Sequence, residues 1–382
     1  FEFPEVLDEE GDFVGFDLVI GNPPYIDYRR INDDTKEHLE KTSYSYGISK
    51  TASIFVYFIE VADSLIQKRG NIIFINPISY ISLNSGKGIR SFIDKNLELI
   101  SILDISDLKI FDSASTYTCI NYFGHKDDKN SSILFGYVAD KNLDGIKYKK
   151  IEAKYIENLS LFLNPITEKI FNMNYETLNS FCEVFCGLSV AGFREDVGNI
   201  KTDKNAPFLE ASDISKYNYK QNKFLKRIPF YYSKNKIAIF ENSEVIFMSR
   251  MTNIIRCCFP PKGSFGGKIN VIWNFKIDKK FILGVLNSTL MNYFYTKKYF
   301  STHMQGGAFS FDTLSVGELP IPKIKPKNQK IVNEIISLVD KILKLKEEDC
   351  EADISKLEKE IDTLVYKLYN LTDEDIKIIE EG

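Results

Sequence analysis

The sequence lacks any apolar run that approaches the roughly 18 uncharged residues a membrane-spanning helix needs. Its first residues, Phe1 to Asp8, carry neither the basic-then-apolar order of a secretory signal nor the Arg- and Ser-rich pattern of a transit peptide. A membrane protein is therefore excluded from the reading, and a cytoplasmic one expected. Histidine is scarce, with His38, His125 and His303 scattered over 382 residues. The six cysteines do not repair that shortage: Cys182 and Cys186 stand four apart, Cys257 and Cys258 are adjacent, and Cys119 and Cys350 are isolated. No metal-ligand spacing results, so no metal is expected, and no Ser-His-Asp triad can be assembled. The cysteines read as reduced thiols, mostly small core residues.

Strong basicity is missing too. Lys and Arg number 49 against 53 Asp and Glu, a net charge of −4, which argues against indiscriminate nucleic-acid binding. The distribution is uneven, however. Between Lys216 and Lys236 every charged residue is basic (Lys216, Lys220, Lys223, Lys226, Arg227, Lys234, Lys236), interleaved with Tyr217, Tyr219, Phe224, Phe230, Tyr231 and Tyr232. The acidic excess sits at Phe1 to Asp12 and Glu347 to Glu381. Such a run is either a solvated surface or a nucleic-acid face.

What is present falls into two regions. The chain starts abruptly, as though cut from something larger, and its first strand, Phe16 to Ile20, runs straight into Asn22-Pro23-Pro24-Tyr25. Ser53 to Gln67 has helical period, with Ile54, Tyr57, Phe58, Val61 and Leu65 predicted on one face and Gly70 as the stop. A wholly apolar strand at Asn71 to Ile75, an amphipathic helix near Gly88 to Lys95 and a strand at Ile100 to Ile105 follow. Continuous hydrophobicity indicates strands buried on both faces, as in a parallel sheet covered by helices. Thr116 to Phe123 and Ser132 to Val138, separated by a polar turn, read as an antiparallel hairpin. The fold class is α/β to about residue 150, a partial Rossmann-like sheet.

Residues 151–175 read as a connection. Residues 176–324 read as an α+β domain with strands at Val245 to Met248 and Ile269 to Trp273, glycine turns at Gly263 to Gly267 and Gly306-Gly307, and one helix from Lys279 to Tyr295, ending at Pro320-Ile321-Pro322. Residues 325–382 read as a helical hairpin with Ile331, Ile335, Leu338 and Ile342 facing Leu357, Ile361, Leu364 and Leu368.

The four residues Asn22-Pro23-Pro24-Tyr25 are the most specific signal, since that string occurs by chance in roughly one chain per thousand of this length. They follow the carboxyl end of a strand, where open α/β sheets bind ligands. The residue types suit an amine acceptor. An aromatic amine such as adenine N6 delocalises its lone pair into the ring and attacks a methyl sulfonium poorly. The Asn22 side-chain oxygen and the Pro23 carbonyl can each accept one N–H, drawing the nitrogen toward tetrahedral geometry. Proline presets the carbonyl direction, and Tyr25 can stack on a flipped-out base, a contact worth about 1–3 kcal/mol. A simple proline turn or an Asn-Pro-x-Tyr peptide motif are the competing readings, and the latter belongs to exposed tails rather than to the end of a strand.

At these residues the chain resembles the γ-class N6-adenine DNA methyltransferases, and especially the type IIG restriction-modification enzymes. Phe1-Glu-Phe-Pro-Glu-Val, the Phe55 to Glu60 helix, Gly70-Asn-Ile-Ile-Phe-Ile-Asn-Pro77 and Phe111 through Phe123 follow the family's motif order. The resemblance implies that Phe111 gives the flipped adenine a second aromatic contact, with Tyr117 as rival. Phe181 to Pro322 resembles a TaqI-like specificity domain through Cys186-Gly-Leu, Pro207-Phe-Leu-Glu-Ala-Ser-Asp-Ile, Leu286-Asn-Ser and Leu319-Pro-Ile-Pro. On that likeness the partner is double-stranded DNA in a bacterial or archaeal cytoplasm, with Lys223, Lys226, Arg227, Arg250, Arg256 and Lys262 as candidate contacts.

The implied cofactor is S-adenosylmethionine, yet the family's glycine-rich loop and ribose-binding acid precede the catalytic loop, and 21 residues are too few to hold them. Magnesium enters only if a nuclease precedes residue 1. The isolated chain is thus expected neither to methylate nor to cut. Two other functions stay open. A protein-glutamine methyltransferase uses the same loop to present a planar amide but has no use for a large recognition domain. A non-catalytic DNA specificity module would need no such loop.

Overall fold

The computed structural model describes residues 6–49, 52–106, 108, 117–126, 132–138, 145–152, 156–173, 175–188, 194–202, 204–226, 233–300 and 308–381. The chain is mixed α/β and divides into two compact units, one built on 1–165 with 298–302, the other on 166–297 with 303–382.

In the first unit six strands form one mixed sheet: β1 (Phe16–Gly21), β2 (Ile66–Pro77), β3 (Leu97–Asp104), β4 (Thr118–His125), β5 (Ile133–Val138) and β6 (Ile146–Ile151). Their order is β1-β2-β4-β3-β5-β6. β1 runs parallel to β2, with Gly21 beside Phe74, and β3 runs parallel to β5. The expected hairpin does not form. β4 is instead inserted between β2 and β3, antiparallel to both, and β5 pairs with β6. The physical reason lies in burial: Cys119, Asn121 and Phe123 are fully buried, so β4 is a central strand whose backbone groups need partners on both edges. The sheet is consequently mixed rather than parallel.

Helices α1 (Asp33–Thr42), α2 (Tyr44–Ile48), α3 (Phe55–Leu65) and α4 (Lys87–Asn96) belong to this unit. Asn32 starts α1 by accepting the Thr35 N–H. The buried face of α3 is Phe55, Val56, Ile59 and Ala62, whereas Phe58 is exposed, so the predicted stripe is rotated. Eight of the eleven residues, FVYFIEVADSL, are apolar or aromatic, and more than one stripe then satisfies helical spacing. Nor does Gly70 stop the helix. It lies inside β2, which begins at Ile66 directly after α3. The core gathers α3, Ile89, Phe92 and Ile93 of α4, and Ile72, Phe74, Leu99, Ile102 and Phe123 of the sheet. Each large side chain buried there contributes about 1.5–3 kcal/mol. The stretch read as a connection carries helices Leu159–Phe162 and Pro165–Phe171.

The second unit holds small sheets and helices. One four-stranded sheet has the order Cys257–Cys258, Ile246–Ser249, Ile269–Trp273, Glu183–Cys186, and another runs Phe265–Gly267, Ala206–Glu210, Lys223–Leu225, Val197–Gly198. Pro320–Pro322 pairs with Tyr175–Thr177, closing the segment on itself. The predicted single helix breaks into Lys279–Asn287 and Thr289–Lys298 at Ser288. Three helices rather than a hairpin follow: Gln329–Glu348, Ser355–Leu368 and Asp373–Glu381. In them Ile335, Leu338, Ile342, Ile361 and Leu368 are buried, while Ile331, Leu357 and Leu364 are half-buried. Gly306-Gly307 lies outside the described residues. Among the described residues no helix is long and apolar enough to cross a membrane.

Candidate functional site

Asn22 follows the last residue of β1 and is exposed, whereas Pro23 beside it is buried. The loop therefore has one residue rooted in the protein and one presented outward. Its course beyond Tyr25 is held by Ile26, whose carbonyl accepts from Ser53 Oγ at 2.9 Å and from the Ile54 N–H at 3.0 Å. Tyr25 is half-buried, and its hydroxyl lies 2.7 Å from Asn22 Oδ1 and 3.0 Å from the carbonyl oxygen of Ile75 in β2. Desolvation, with a smaller contribution from Cys119, pushes the Tyr25 phenol up to about 12. It is a donor throughout the neutral range.

Behind the loop lies a buried polar network that periodicity could not reveal. Asn121 Nδ2 donates to Asn76 Oδ1 at 2.7 Å, the Tyr80 hydroxyl donates to Asn121 Oδ1 at 2.7 Å, and Asn76 Nδ2 donates to the Pro77 carbonyl at 3.2 Å. Asn76 and Asn121 are fully buried and Tyr80 is 2% exposed. Arg90 extends the network by donating to the Tyr80 and Leu83 carbonyls at 2.5 and 2.7 Å and pairing with Glu157 at 2.9 Å. Burial drives the Cys119 thiol well above its usual range, so it is a neutral neighbour to this network. Polar groups at such depth are tolerated because they satisfy one another. The signal in the sequence was the Asn of Ile-Asn-Pro77 inside an otherwise apolar strand.

Two of the glycines before Asn22, Gly15 and Gly21, are spent on packing. Gly15 takes φ +87° against β2, where a Cβ would come within 2.6 Å of the Gln67 nitrogen, and at Gly21 it would lie 3.0 Å from the Phe74 ring. Neither presents an open backbone cradle for a nucleoside, so these residues do not fit S-adenosylmethionine. What the loop presents outward is the Asn22 carboxamide. Tyr117 is half-buried against the core, with its carbonyl accepting the Ile78 N–H at 3.0 Å. Phe111 lies outside the described residues, as does Arg227.

The basic candidates of the second unit divide. Lys223 is bound to Glu210 at 2.6 Å and Asp213 at 2.9 Å. Burial opposes its charge, and the bonds to the two carboxylates override that and hold its pKa above the ordinary range. Lys216 and Lys220 face Glu358 and Glu351 at 3.6 and 3.9 Å, so part of the distant acidic tail folds back onto the basic run. Lys226 and Lys262 are exposed, the latter on the rim of a cavity of about 410 Å³ with Phe259 and Lys279. Arg256 is half-buried and donates to Asn253 Oδ1 at 3.3 Å, and Arg250 directs Nη1 to Cys186 Sγ at 2.7 Å. None of the six cysteines forms a disulfide, and Cys119, Cys182, Cys257 and Cys258 are buried.

Comparison with known proteins places these parts in order. Residues 1–111 match the Eco57I restriction-modification methylase family, and residues 206–321 match the TaqI-like C-terminal specificity domain. A Methanocaldococcus jannaschii protein carrying the name of a type II restriction enzyme and methyltransferase is 26% identical over 96% of this chain and 32% of its own length. The Escherichia coli type II restriction enzyme and methyltransferase RM.Eco57I is 28% identical over 31% of this chain and 12% of its own. The type II methyltransferase M.HincII of Haemophilus influenzae is 26% identical over 36% of this chain and 25% of its own. The chain thus spans about a third, or less, of these relatives. Among solved structures, the type IIL restriction-modification enzyme MmeI in complex with DNA aligns over 96% of this chain and 57% of its own, with TM-score 0.64 and 11% identity. The type ISP restriction-modification enzyme LlaGI aligns over 85% and 35%, with TM-score 0.54 and 15% identity. Those likenesses extend the shared fold across both units. In its Eco57I-type methylase segment and its TaqI-like specificity domain alike, this chain is similar to the type II restriction-modification methyltransferases.

Proposed function

We propose that the chain supplies the target-base-binding and DNA-recognition parts of a site-specific DNA adenine-N6 methyltransferase, with S-adenosylmethionine as methyl donor in the full-length protein. The observation that carries this is the exposed Asn22 at the carboxyl end of β1, its Oδ1 accepting from Tyr25. In this reading Asn22 Oδ1 and the Pro23 carbonyl accept the two N6 protons of an adenine swung out of the duplex. Stripped of conjugation with the ring, the nitrogen lone pair points along the line of attack. The Tyr25 ring, and Phe111, stack on the base faces and offset part of the few kcal/mol of unstacking. A proton then leaves the methylated amine to water. S-adenosylmethionine, bound in the full-length protein, would supply an electrophilic methyl group, and the tightly packed Gly15 and Gly21 are not its cradle.

Lys226, Arg250, Arg256 and Lys262 are the proposed phosphate and base contacts, with Arg227 on the same segment as Lys226. Lys223 serves the fold instead, bound between two carboxylates. Protein-glutamine methylation is the second reading, since an amide nitrogen suits the same acceptors, but the specificity-domain match over residues 206–321 has no role in it.

The test offers duplex DNA and a total protein extract, side by side, to the full-length product with labelled S-adenosylmethionine. N6-methyladenine in the DNA is the expected product, and label confined to protein would replace this reading with the second. Asn22→Ala should lower methylation by about 10²–10³-fold, as loss of a placed polar partner does elsewhere, while leaving duplex binding within about twofold. Equal loss of both would remove Asn22 from the proposed role.

A further inference from the structure

Resting on the amine-acceptor reading above, a further inference concerns the Tyr25 hydroxyl rather than its ring. That hydroxyl has one proton and two acceptors in reach, Asn22 Oδ1 at 2.7 Å and the Ile75 carbonyl at 3.0 Å. A carboxamide has two ends of almost the same size and opposite function, because the oxygen accepts and the nitrogen only donates. An exposed asparagine is free to turn either end outward. For a group that must receive amine protons, the wrong rotamer sets donor against donor. A hydroxyl proton aimed at Oδ1 distinguishes the two ends and leaves the second lone pair of that oxygen for the substrate.

The phenol is itself well anchored. Ile75 lies in β2 between Phe74, which is buried, and Asn76, whose side chain is locked to Asn121 at 2.7 Å. Asn121 is locked in turn by Tyr80 at 2.7 Å. The Ile75 carbonyl is therefore held by a strand that is braced on its buried side. Burial keeps the phenol protonated, so it stays a donor at any pH at which the protein works.

We propose that the Tyr25 hydroxyl is a positioning group for Asn22: it selects the carboxamide rotamer with Oδ1 toward the incoming amine. On arrival of the amine, Asn22 Oδ1 keeps the Tyr25 hydrogen bond on one lone pair and accepts one amine proton on the other, the second amine proton going to the Pro23 carbonyl. No bond beyond hydrogen bonds changes.

Tyr25→Phe in the full-length product separates this role from stacking, since the ring is kept. At saturating DNA and methyl donor, kcat should fall about ten- to a hundredfold, the scale of a misplaced catalytic group. KM for the duplex should stay within about twofold, because phosphate contacts dominate affinity. Fluorescence of 2-aminopurine at the target position should rise as with wild type, reporting an unimpaired flip. In an Asn22→Ser background, where no carboxamide remains to orient, Tyr25→Phe should cost nothing further. That comparison holds even if Tyr25→Phe lowers stability, as both backgrounds carry the same loss. Wild-type methylation of adenine with unchanged kcat in Tyr25→Phe, or an equal fractional loss in the Asn22→Ser background, would overturn this inference alone. A wild type that methylates no adenine would overturn the functional reading and this with it.

Discussion

Asn22 and Pro23 show how two adjacent residues divide labour. Pro23 is buried and fixed in φ, which roots the loop, and Asn22 is exposed, which offers its carboxamide outward. Tyr25 ties the loop to the sheet, since its hydroxyl reaches both Asn22 Oδ1 and the Ile75 carbonyl of β2. The same burial has a consequence for stability. The Tyr25 phenol is raised from 10.0 to about 12, chiefly by desolvation. A group with its folded pKa above its unfolded one contributes stability that is complete below the unfolded value and lost as pH rises through the folded one. Between pH 10 and about 12 the unfolded chain releases the Tyr25 proton while the folded chain keeps it. The denaturant midpoint of wild type should thus fall relative to that of Tyr25→Phe across this window. A gap between the two that stays constant with pH would show that the phenol is not desolvated.

At the scale of elements, the breaks are decided by side chains that leave their own helix or strand. The helical pattern from Lys279 to Tyr295 is continuous in sequence, yet the helix ends at Asn287 because that side chain is engaged elsewhere. Asn287 Oδ1 accepts the Cys257 N–H at 2.9 Å and its Nδ2 donates to the Cys257 carbonyl at 3.0 Å, closing the free edge of a short buried strand. Ser288 Oγ then donates to the Val285 carbonyl at 2.7 Å and accepts from the Met291 N–H at 3.2 Å. Asn287→Ala should leave the buried Cys257 N–H unsatisfied, while the Cys257 carbonyl keeps the Tyr217 N–H at 2.8 Å, and destabilise the second unit by about 1–3 kcal/mol. Urea unfolding measures this, and a loss under about 1 kcal/mol would mean that water or a neighbour replaces the amide. β4 follows the same logic, as Asn121 is hydrogen-bonded inside the sheet to Asn76 of the neighbouring strand.

At the scale of the whole molecule, charge is compensated locally. A net charge of −4 cannot draw the chain to a duplex, so affinity must come from cations left facing solvent. The basic run contributes fewer of these than its composition suggests, because Lys216, Lys220 and Lys223 face Glu358, Glu351, Glu210 and Asp213. Duplex binding by this chain should therefore be insensitive to Lys223→Ala beyond any loss of stability. Arg256→Ala and Lys226→Ala should each weaken it, and removal of a true phosphate contact should reduce the slope of log K against log salt by about 0.9. Fluorescence anisotropy over a salt series distinguishes them. A strong effect from Lys223→Ala in a folded variant would return that lysine to the DNA face.

The sequence by itself determined the features that depend on near neighbours. Asn22 to Tyr25 at the end of an apolar strand, α4 with its amphipathic spacing, and β3 could be read from composition and period alone, because local backbone preference and one-sided burial leave those marks. The family likeness was legible for the same reason, as short strings such as Asn-Pro-Pro-Tyr and Leu-Pro-Ile-Pro travel as units. Only the tertiary structure decided what depends on residues far apart in the chain. Strand neighbours are set by which edges remain unpaired after collapse, so β4 slots between β2 and β3 instead of folding back on β5. The buried face of α3 was undetermined because its sequence is apolar nearly all round. The pairing of the Lys216 and Lys220 ammonium groups with carboxylates more than 100 residues away, and the bond from Tyr25 to Asn22 and Ile75, arise from geometry. Long-range contacts of this kind carry no period, and so leave no trace in a single sequence.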